Sequence, residues 1–532
     1  MTRLTAFGFN LESFDATHIA CTAALIISGL WLCRIVFTQL VGNGELPLPP
    51  GPRGLPIIGN LHQAPKHNPW VAYRNWSRKY GPLMSLKNGN NIMIIVTSYD
   101  IVRNFLEKHN AIFSSRPQLA LLNRLTKGLS TAGLPYGPRW KTHRALRTAV
   151  LKPSMTVRYR EIQDVESRQL LHELLTTTDI SKSLRRTAAS VFLAVAYGER
   201  LDRETPELQD LENVIRHIAR VTEACFQGTA MLAEFFPILR YLPGNSKWKR
   251  EADMLHEHLT QLYVKKLQTA LELPAWNWIK EYSMRKESKG MDIIELAHTV
   301  GSIYEASLSA YQIVRIIILA AMLYPDETRK AQAEVDRVVG CHELPDWRHM
   351  PELRFIDAFI KEAVRWRPFS PLAAPRAATE DITYKGYRIP KGATIVVNQW
   401  AMDHDETIFP DPFTFRPGRW IENPNLPHIM FGFGQRECPG RHLGYDTLYI
   451  TVSRLLWAFN INRPIVNGKE VEMDVPRLME GANSVSFFSI VPDFETNLVL
   501  RDEGRKAVIE EQWENALKDG QELLNRAVPM PN

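Results

Sequence analysis

A single cysteine stands in a loop whose other residues shape the backbone. The stretch FGFGQRECPGR, Phe431 to Arg441, places Cys438 four residues after Gly434 and two before Gly440. A lone cysteine can be a buried thiol, a nucleophile or a metal ligand. A nucleophile needs a base, which a histidine distant in the sequence could supply. The immediate surroundings favour a ligand.

The loop has the properties that a thiolate ligand requires. Gly432 and Gly434 permit positive φ and a close approach of the backbone to a large flat group. The residues after Pro439 have helical periodicity, so Cys438 lies at a helix N-terminus, where free amides and the helix dipole stabilise a thiolate. With Phe431 ahead of it, such a thiolate suits the fifth coordination position of a haem iron, where it favours O–O cleavage.

The pattern Phe431-x-x-Gly434-x-Arg436-x-Cys438-x-Gly440 resembles the haem-binding signature of the cytochrome P450 monooxygenases at every defining position. The resemblance implies haem b as cofactor, with Cys438 as its axial ligand and Phe431 beside the sulfur. It also implies that Arg436 faces a haem propionate and that Gly440 lets the following helix approach the porphyrin. Dioxygen is then the co-substrate.

Two charged residues in KEAVRWRP stand on one helix face. Glu362 and Arg365 are at i, i+3 and can pair, although such a pair alone is ordinarily a solvated surface bridge. By the resemblance, Arg419 in FRPGRW completes the Glu-Arg-Arg network of the family. Its implied role is structural, holding the cysteine loop.

Two further stretches resemble propionate-binding segments of the family. In YGPRWKTHRALR, Trp140 and Arg144 are at i, i+4, and the family directs both at a haem propionate. In APRAATED, Arg376 matches another propionate-contacting position. A surface Trp/Arg pair is the alternative for Trp140 and Arg144.

One stretch departs from the family pattern. In the family, the long helix ordinarily carries an acid followed by an alcohol. In this chain the long apolar segment from Met291 to Tyr324 corresponds to that helix, and Leu308 and Ser309 occupy those positions. In one hypothesis Ser309 and a water, assisted by Glu305 one turn earlier, still deliver protons for oxygen insertion. In the other, the site performs hydrogen abstraction followed by coupling, ring closure, desaturation or rearrangement. Glu305 can equally be paired elsewhere in the helix bundle.

The elements around these residues are predicted to be mainly helical. Apolar residues recur at i, i+3, i+4 and i+7 over 165–177 and 207–226, and one long buried helix is expected over 291–324. Residues 325–340 form the next helical unit, while 90–98 and 382–398 read as short strands, the latter in antiparallel pairs. The predicted fold class is mainly α with small β-sheets, which the resemblance makes a cytochrome P450 fold preceded by one N-terminal transmembrane helix.

The ends of the chain differ in character from the middle. The run IACTAALIISGLWLCRIVF is apolar and long enough, with the next residues, to span a bilayer. We predict a short lumenal segment at 1–18, a membrane anchor at 19–40 and a Pro/Gly-rich hinge at 41–60. The catalytic domain covers 61–500, and 501–532 is an amphipathic helical extension on the surface.

Composition excludes several classes of protein. The chain is 45% apolar and 23% charged, as globular proteins are, and its net charge of +6 comes without a Lys/Arg block or zinc-finger spacing, so nucleic acid is not an expected partner. Five cysteines without a CxxC pair argue against disulfides or structural zinc and indicate a reducing compartment.

The predicted function is that of a microsomal, fungal-type haem-thiolate monooxygenase. It hydroxylates or epoxidises a hydrophobic small molecule, in secondary-metabolite biosynthesis, with electrons from NADPH through NADPH-cytochrome P450 reductase. It is single-pass in the endoplasmic reticulum membrane with a cytosolic catalytic domain. The alternatives are oxidative ring closure or coupling, desaturation, a reductase-independent isomerase, and a haem-binding sensor or carrier. The expected pocket is lined by 113–134, 221–236, 305–309, 370–375 and 484–488.

Overall fold

The computed structural model describes residues 46–177, 179–206, 209–210, 213–214, 234–235, 247–467, 469–480 and 488–528, together with 22, 26 and 29. The predicted lumenal segment lies outside the described residues, as does the anchor at 19–40 apart from those three positions. Most of 207–226 and of the pocket segments 221–236 and 484–488 also lies outside them.

Helices make up most of the described chain, and three of them surround the predicted site: the helix after the cysteine, the long helix, and the helix of the Trp/Arg pair. In chain order they are α1 Pro69–Tyr80, α2 Tyr99–Arg103, α3 Ala120–Thr126, α4 Pro138–Leu151, α5 Pro153–Thr156, α6 Arg160–Leu174, α7 Ile180–Tyr197, α8 Lys247–Glu272, α9 Trp278–Met284, α10 Ile293–Leu323, α11 Pro325–Val338, α12 Arg354–Trp366, α13 Gln399–Asp403, α14 Gly418–Glu422, α15 Arg441–Ala458, α16 Val475–Glu480, α17 Glu503–Glu514 and α18 Gly520–Ala527.

The long helix α10 is the central support of the site. The Asp292 side chain caps it by accepting a hydrogen bond from the amide of Glu295 at 2.7 Å, and Pro325 follows its end and opens α11. The helix packs against α7, α8, α12 and α15. Within the described part of the chain, α10 is long and apolar enough to cross a membrane, but most of its apolar stretch is buried inside the protein. It is the core helix expected over 291–324.

The strands form small sheets beside the helices: β1 Leu83–Asn88, β2 Asn91–Val96, β3 Arg376–Ala377, β4 Ile382–Tyr384, β5 Tyr387–Ile389, β6 Thr394–Val397, β7 Phe459–Asn462, β8 Ile465–Val466, β9 Lys469–Glu470 and β10 Asn497–Leu500. The larger sheet has the order β1-β2-β6-β3, and β4 pairs with β5 as a hairpin.

The prediction of antiparallel pairs throughout 382–398 is wrong for β6. This strand pairs in parallel with β2, with Ile94 opposite Ile395, and it pairs antiparallel with β3. Because β2 and β6 are about three hundred residues apart, no local turn signal specifies their pairing. The consequence is that Arg376, on β3, is anchored to the sheet.

Two apolar clusters hold the helices together. One contains the second half of α10 with α12, α15 and β7, and the other contains α6 to α9 with the first half of α10. Each half of α10 thus belongs to a different cluster, and the predicted site residues Glu305 and Ser309 lie where the two halves meet.

The hinge and the C-terminal extension are both packed on the domain. Two residues of the hinge contact Ser85 of β1. The carbonyl of Pro50 accepts a hydrogen bond from the Ser85 amide at 2.9 Å, and a Cβ added to Gly51 would lie 2.0 Å from the Ser85 carbonyl oxygen. The extension forms two helices, α17 and α18, which pack on α6 and α7, and Leu523 and Leu524 of α18 are buried. Because Leu523 and Leu524 belong to the same apolar cluster as residues of α6 and α7, the buried side of α18 is part of the core, and the extension is not only the surface appendage that was predicted.

Candidate functional site

The cysteine loop is shaped by two glycines in left-handed conformations. Gly432 has φ +77° and Gly434 has φ +59°, and a tight turn follows over Gly434–Arg436. A Cβ on Gly434 would lie 1.9 Å from the carbonyl oxygen of Leu106, so no other residue fits there. The Cys438 amide closes the loop by donating to the carbonyl of Phe431 at 2.9 Å.

Cys438 stands just before the N-terminus of α15. Gly440 is the residue before the helix, and a Cβ on it would lie 4.0 Å from the Cys438 sulfur. Burial raises the pKa of the Cys438 thiol, while the Gly440 amide and the cations of Arg144 and Arg147 act to lower it. The protein alone therefore does not fully ionise this thiol, whereas direct coordination to a metal cation would.

Arg436 is held by backbone carbonyls. Its guanidinium donates to the carbonyls of Ser114 at 2.7 Å, Leu134 at 2.7 Å and Thr131 at 3.3 Å. It also lies over the ring of Trp140, 4.3 Å from the ring centroid. The Trp140 ring thus packs against the Arg436 guanidinium. The i, i+4 spacing of Trp140 and Arg144 did not predict this role.

Three further arginines converge on Arg436. Arg376 donates to the carbonyl of Phe433 at 2.8 Å, and Arg144 donates to the carbonyl of Glu437 at 2.7 Å. Arg116 donates to the carbonyls of Ala132 at 3.0 Å, Ala374 at 2.6 Å and Pro375. We call Arg116, Arg144, Arg376 and Arg436 the arginine cluster.

The arginine cluster has an unbalanced positive charge. Burial and the neighbouring cations of Arg116, Arg376 and Arg144 lower the pKa of Arg436 to about 8. Burial and Arg116 lower the pKa of Arg376 to about 9, and one of its terminal nitrogens, Nη1, is buried without a hydrogen-bond partner among the residues that the structure describes. Among the described residues no ion pair joins a carboxylate to these four side chains. Such a cluster suits a group with two carboxylates of its own.

The middle of α10 is unusually open for a core helix. Ala306 is exposed and Ser309 and Ala310 are half-buried, whereas the residues from Val314 to Met322 are all buried. The partly exposed residues of α10 and the half-buried cysteine loop ahead of α15 are the surfaces that a flat group would contact. Together with the sulfur and the arginine cluster, they fit a haem b, whose propionates the arginines would neutralise.

The two predicted catalytic residues on α10 have separate partners. The Ser309 hydroxyl donates to the carbonyl of Ala306 in the same helix at 2.7 Å. Glu305 accepts a hydrogen bond from the Tyr263 hydroxyl of α8 at 3.1 Å. Burial raises the pKa of Glu305 to about 7, although the Tyr263 hydroxyl and the Arg147 cation act to lower it. The side chain of Leu308 lies outside the described residues.

Glu362 is the centre of a buried network. Arg365 donates to both of its carboxylate oxygens at 2.8 Å, and Arg419 donates to Oε1 at 3.0 Å. The Trp420 ring nitrogen and the Arg416 amide add hydrogen bonds of 2.9 Å. The structure thus brings together Glu362, Arg365 and Arg419, the three residues predicted to form a network.

Sequence reasoning missed Arg116, Arg147 and Tyr263. The partners of Arg116 are carbonyls from two segments far apart in the chain, so no spacing signal marks it. Arg147 donates to the Ser302 hydroxyl at 2.7 Å. It lies on the helix of Trp140 and Arg144, one turn after Arg144, and nothing in its spacing marked it as a separate contact. Tyr263 lies on α8 at a position typical of a core residue.

Comparison with known proteins finds relatives along most of the chain. The sequence model of the Cytochrome P450 family matches residues 49–479. The cytochrome P450 monooxygenase okaD of Penicillium ochrochloron is 52% identical over 516 residues, 97% of each chain. The echilunin cytochrome P450 monooxygenase of Aspergillus ruber is 47% identical and covers 90% of this chain and 89% of its own. Fumitremorgin C synthase of Neosartorya fischeri is 46% identical and covers 92% of this chain and 94% of its own.

Proposed function

Because the chain belongs to the cytochrome P450 monooxygenases and is therefore an oxidoreductase, we propose that it inserts oxygen into a hydrophobic small molecule of fungal secondary metabolism. The single observation that carries this proposal is the position of the arginine cluster beside Cys438. The cysteine offers the sulfur and the arginines offer the counter-charges for a haem. The similar proteins from Penicillium, Aspergillus and Neosartorya support the pathway class.

Each residue of the site has a proposed task. Cys438 would hold the iron, and the arginine cluster would hold the propionates. When bound, the haem supplies the cleavage of dioxygen that provides an oxygen atom for a C–H or C=C bond. Ser309 and Glu305 would hold and move protons beside the oxygen, and the Glu362 network would keep the cysteine loop in place.

Electrons would come from NADPH through NADPH-cytochrome P450 reductase at the endoplasmic reticulum membrane. The net charge of +6 supports docking of an acidic flavoprotein. Arg441, at the start of α15, is a half-exposed cation that pairs with Glu437 at 2.8 Å. The anchor predicted at 19–40 would keep both proteins on one membrane.

The first test is spectroscopic. The reduced, carbon-monoxide-bound full-length protein is expected to show the red-shifted Soret band of thiolate ligation, and Cys438→His to lose it. Absence of that band from the intact, haem-loaded protein would overturn the assignment. Microsomal turnover with and without NADPH and reductase then separates a monooxygenase from a reductase-independent isomerase.

A second candidate is oxidative ring closure or coupling. It is favoured by the departure on α10, where the acid position is Leu308 and the Ser309 hydroxyl is bonded within its own helix. A relative is also named a synthase after its product, fumitremorgin C. Mass spectrometry distinguishes the two, since insertion adds an oxygen atom and ring closure removes two hydrogens.

The effect of Leu308 and Ser309, which replace the acid and alcohol of the family, can be tested by restoring the family residues. If proton supply limits the reaction, Leu308→Asp with Ser309→Thr changes the amount of product formed per NADPH consumed. Single variants at each position serve as controls. An unchanged ratio in the double variant would show that proton delivery does not depend on these positions.

A further inference from the structure

A tyrosine of α8, Tyr263, packs against α10 between Gly301 and Glu305, which lie about two turns and one turn before Ser309. The Tyr263 ring lies so close to Gly301 that a Cβ there would be 2.5 Å from the ring carbons. Its hydroxyl, four residues further along α10, donates to Glu305 at 3.1 Å. Tyr263 is 2% exposed, so this hydroxyl has little access to water. The glycine and the hydrogen bond together fix the carboxyl relative to the helix.

The surroundings contain few other charges. Arg147 of α4 is the cation that faces Glu305, and it is bonded to α10 through the carbonyl of Thr299 and the hydroxyl of Ser302. The neighbours of Tyr263 are the hydroxyls of Tyr197 on α7 and Tyr304 on α10 and the edge-on ring of His298. Burial, and the neighbouring His256 ring to a lesser degree, lower the pKa of His298 to about 4, so His298 is neutral at pH 7. Among the described residues, Arg147 is therefore the only charged side chain found to act on the Glu305 carboxyl.

We propose that Tyr263 is a positioning residue that holds Glu305 as the proton donor of the active site, in place of the acid missing at Leu308. This inference rests on the proposed monooxygenase function. Residues at i, i+4 of a helix are neighbours, so one water can bridge Glu305 and Ser309. A proton leaves the Glu305 carboxyl through that water toward the oxygen being reduced, and the carboxylate regains a proton from solvent. The electrons come from the NADPH-dependent reductase.

The first experiment follows the protonation of Glu305 without turnover. In the haem-loaded full-length protein, infrared difference spectra across a pH titration record the carbonyl stretch of protonated carboxyl groups, and Glu305→Gln identifies the band. The Tyr263 hydroxyl stabilises the carboxylate, so Tyr263→Phe is expected to move the midpoint of that band upward by about one pH unit. The phenylalanine keeps the ring against Gly301.

The matched control is Tyr197→Phe. Tyr197 is as deeply buried as Tyr263, but its hydroxyl has no hydrogen-bond partner in the part of the chain that the structure describes, so its removal is expected to leave the Glu305 band in place. If the Tyr263→Phe midpoint equals that of the wild type or of Tyr197→Phe, the positioning role is refuted.

The second experiment measures water and hydrogen peroxide formed per NADPH, which needs no known substrate. An acid donor works below its pKa, so proton delivery is expected to fall above about pH 7 in the wild type. Glu305→Gln should reduce water formation about 100-fold, as loss of a general acid does. Tyr263→Phe should reduce it about tenfold and shift the falling limb to higher pH.

Hydrogen peroxide provides a bypass, because it brings its own protons with the oxygen. Peroxide-driven turnover should be reduced much less than NADPH-driven turnover in both variants. Equal loss in the two assays would overturn the proposal. If the Soret band of thiolate ligation were absent while the infrared shift persisted, the proposed function would fail and the Tyr263–Glu305 contact would stand.

Discussion

Two glycines of the cysteine loop share a backbone conformation and differ in what surrounds them. Gly432 and Gly434 both have positive φ, but only at Gly434 does a Cβ meet another atom, the carbonyl oxygen of Leu106 at 1.9 Å. Gly432→Ala should therefore cost about 1 kcal/mol of stability, the price of a left-handed alanine. Gly434→Ala should add about 1–3 kcal/mol for the steric conflict. Thermal unfolding of the purified variants gives the difference.

The same two variants also distinguish an effect on the shape of the cysteine loop from an effect on the stability of the protein. Haem bound per chain, measured by absorbance, should fall sharply in Gly434→Ala and little in Gly432→Ala. Equal haem content in the two variants would mean that the Leu106 contact does not shape the ligand loop.

At the scale of residues, motifs predicted contacts that lie within one helix or one loop. The Glu362–Arg365 pair and the positive φ of both loop glycines follow from spacing and residue type. The Tyr263–Glu305 and Arg116–Ala374 contacts do not, because their partners come from different elements whose relative placement depends on tertiary packing. The role of Trp140 beneath Arg436 is missing from the sequence for the same reason.

At the scale of elements, the Glu362 network fastens α12 to α14. Glu362 is fully buried, and its carboxylate balances two buried guanidiniums, Arg365 and Arg419. Glu362→Gln should lower the free energy of unfolding by about 3–5 kcal/mol, because a buried charge is left unpaired. Chemical denaturation measures this loss.

An exposed ion pair supplies the control for that prediction. Glu406 lies on the surface, 61% exposed, and pairs with Arg74 and Arg78. Glu406→Gln should change stability by less than about 1 kcal/mol. A loss in Glu362→Gln no larger than this would show that the network is replaceable by neutral groups.

Helices were more predictable than sheets in this chain. The pattern over 291–324 and the proline at 325 specify α10 and α11 locally, since periodicity and capping act within a few turns. The parallel pairing of β2 with β6 depends on two segments that only the folded chain brings together. The strands themselves are recognisable in sequence, whereas their order is not.

At the scale of the whole molecule, the C-terminal extension joins the end of the chain to its middle. Leu524 of α18 is fully buried, and the Gln521 side chain bonds both Gly198 and Ala275. Leu524→Ala should cost about 2–5 kcal/mol of stability through the cavity that it leaves. Calorimetry of the full-length protein tests this value.

Leu271 of α8 provides the comparison, because it also lies on a helix but is 44% exposed. Leu271→Ala should change stability by no more than about 0.5 kcal/mol. Matching transitions for Leu524→Ala and Leu271→Ala would mean that the extension contributes nothing to the global stability of the fold.

The arginine cluster has a consequence for how the protein is made. Of the four arginines in the cluster, Arg376 is buried and the others are half-buried, and the other three charges act against that of Arg436. This repulsion opposes closure of the segments that carry the arginines, so the chain is expected to complete its folding only as the cofactor arrives. Haem supply during biosynthesis would then set the yield of mature enzyme. In a producing cell that is short of iron, the unfinished protein would be degraded by proteases, and its level would fall before the level of its messenger RNA did.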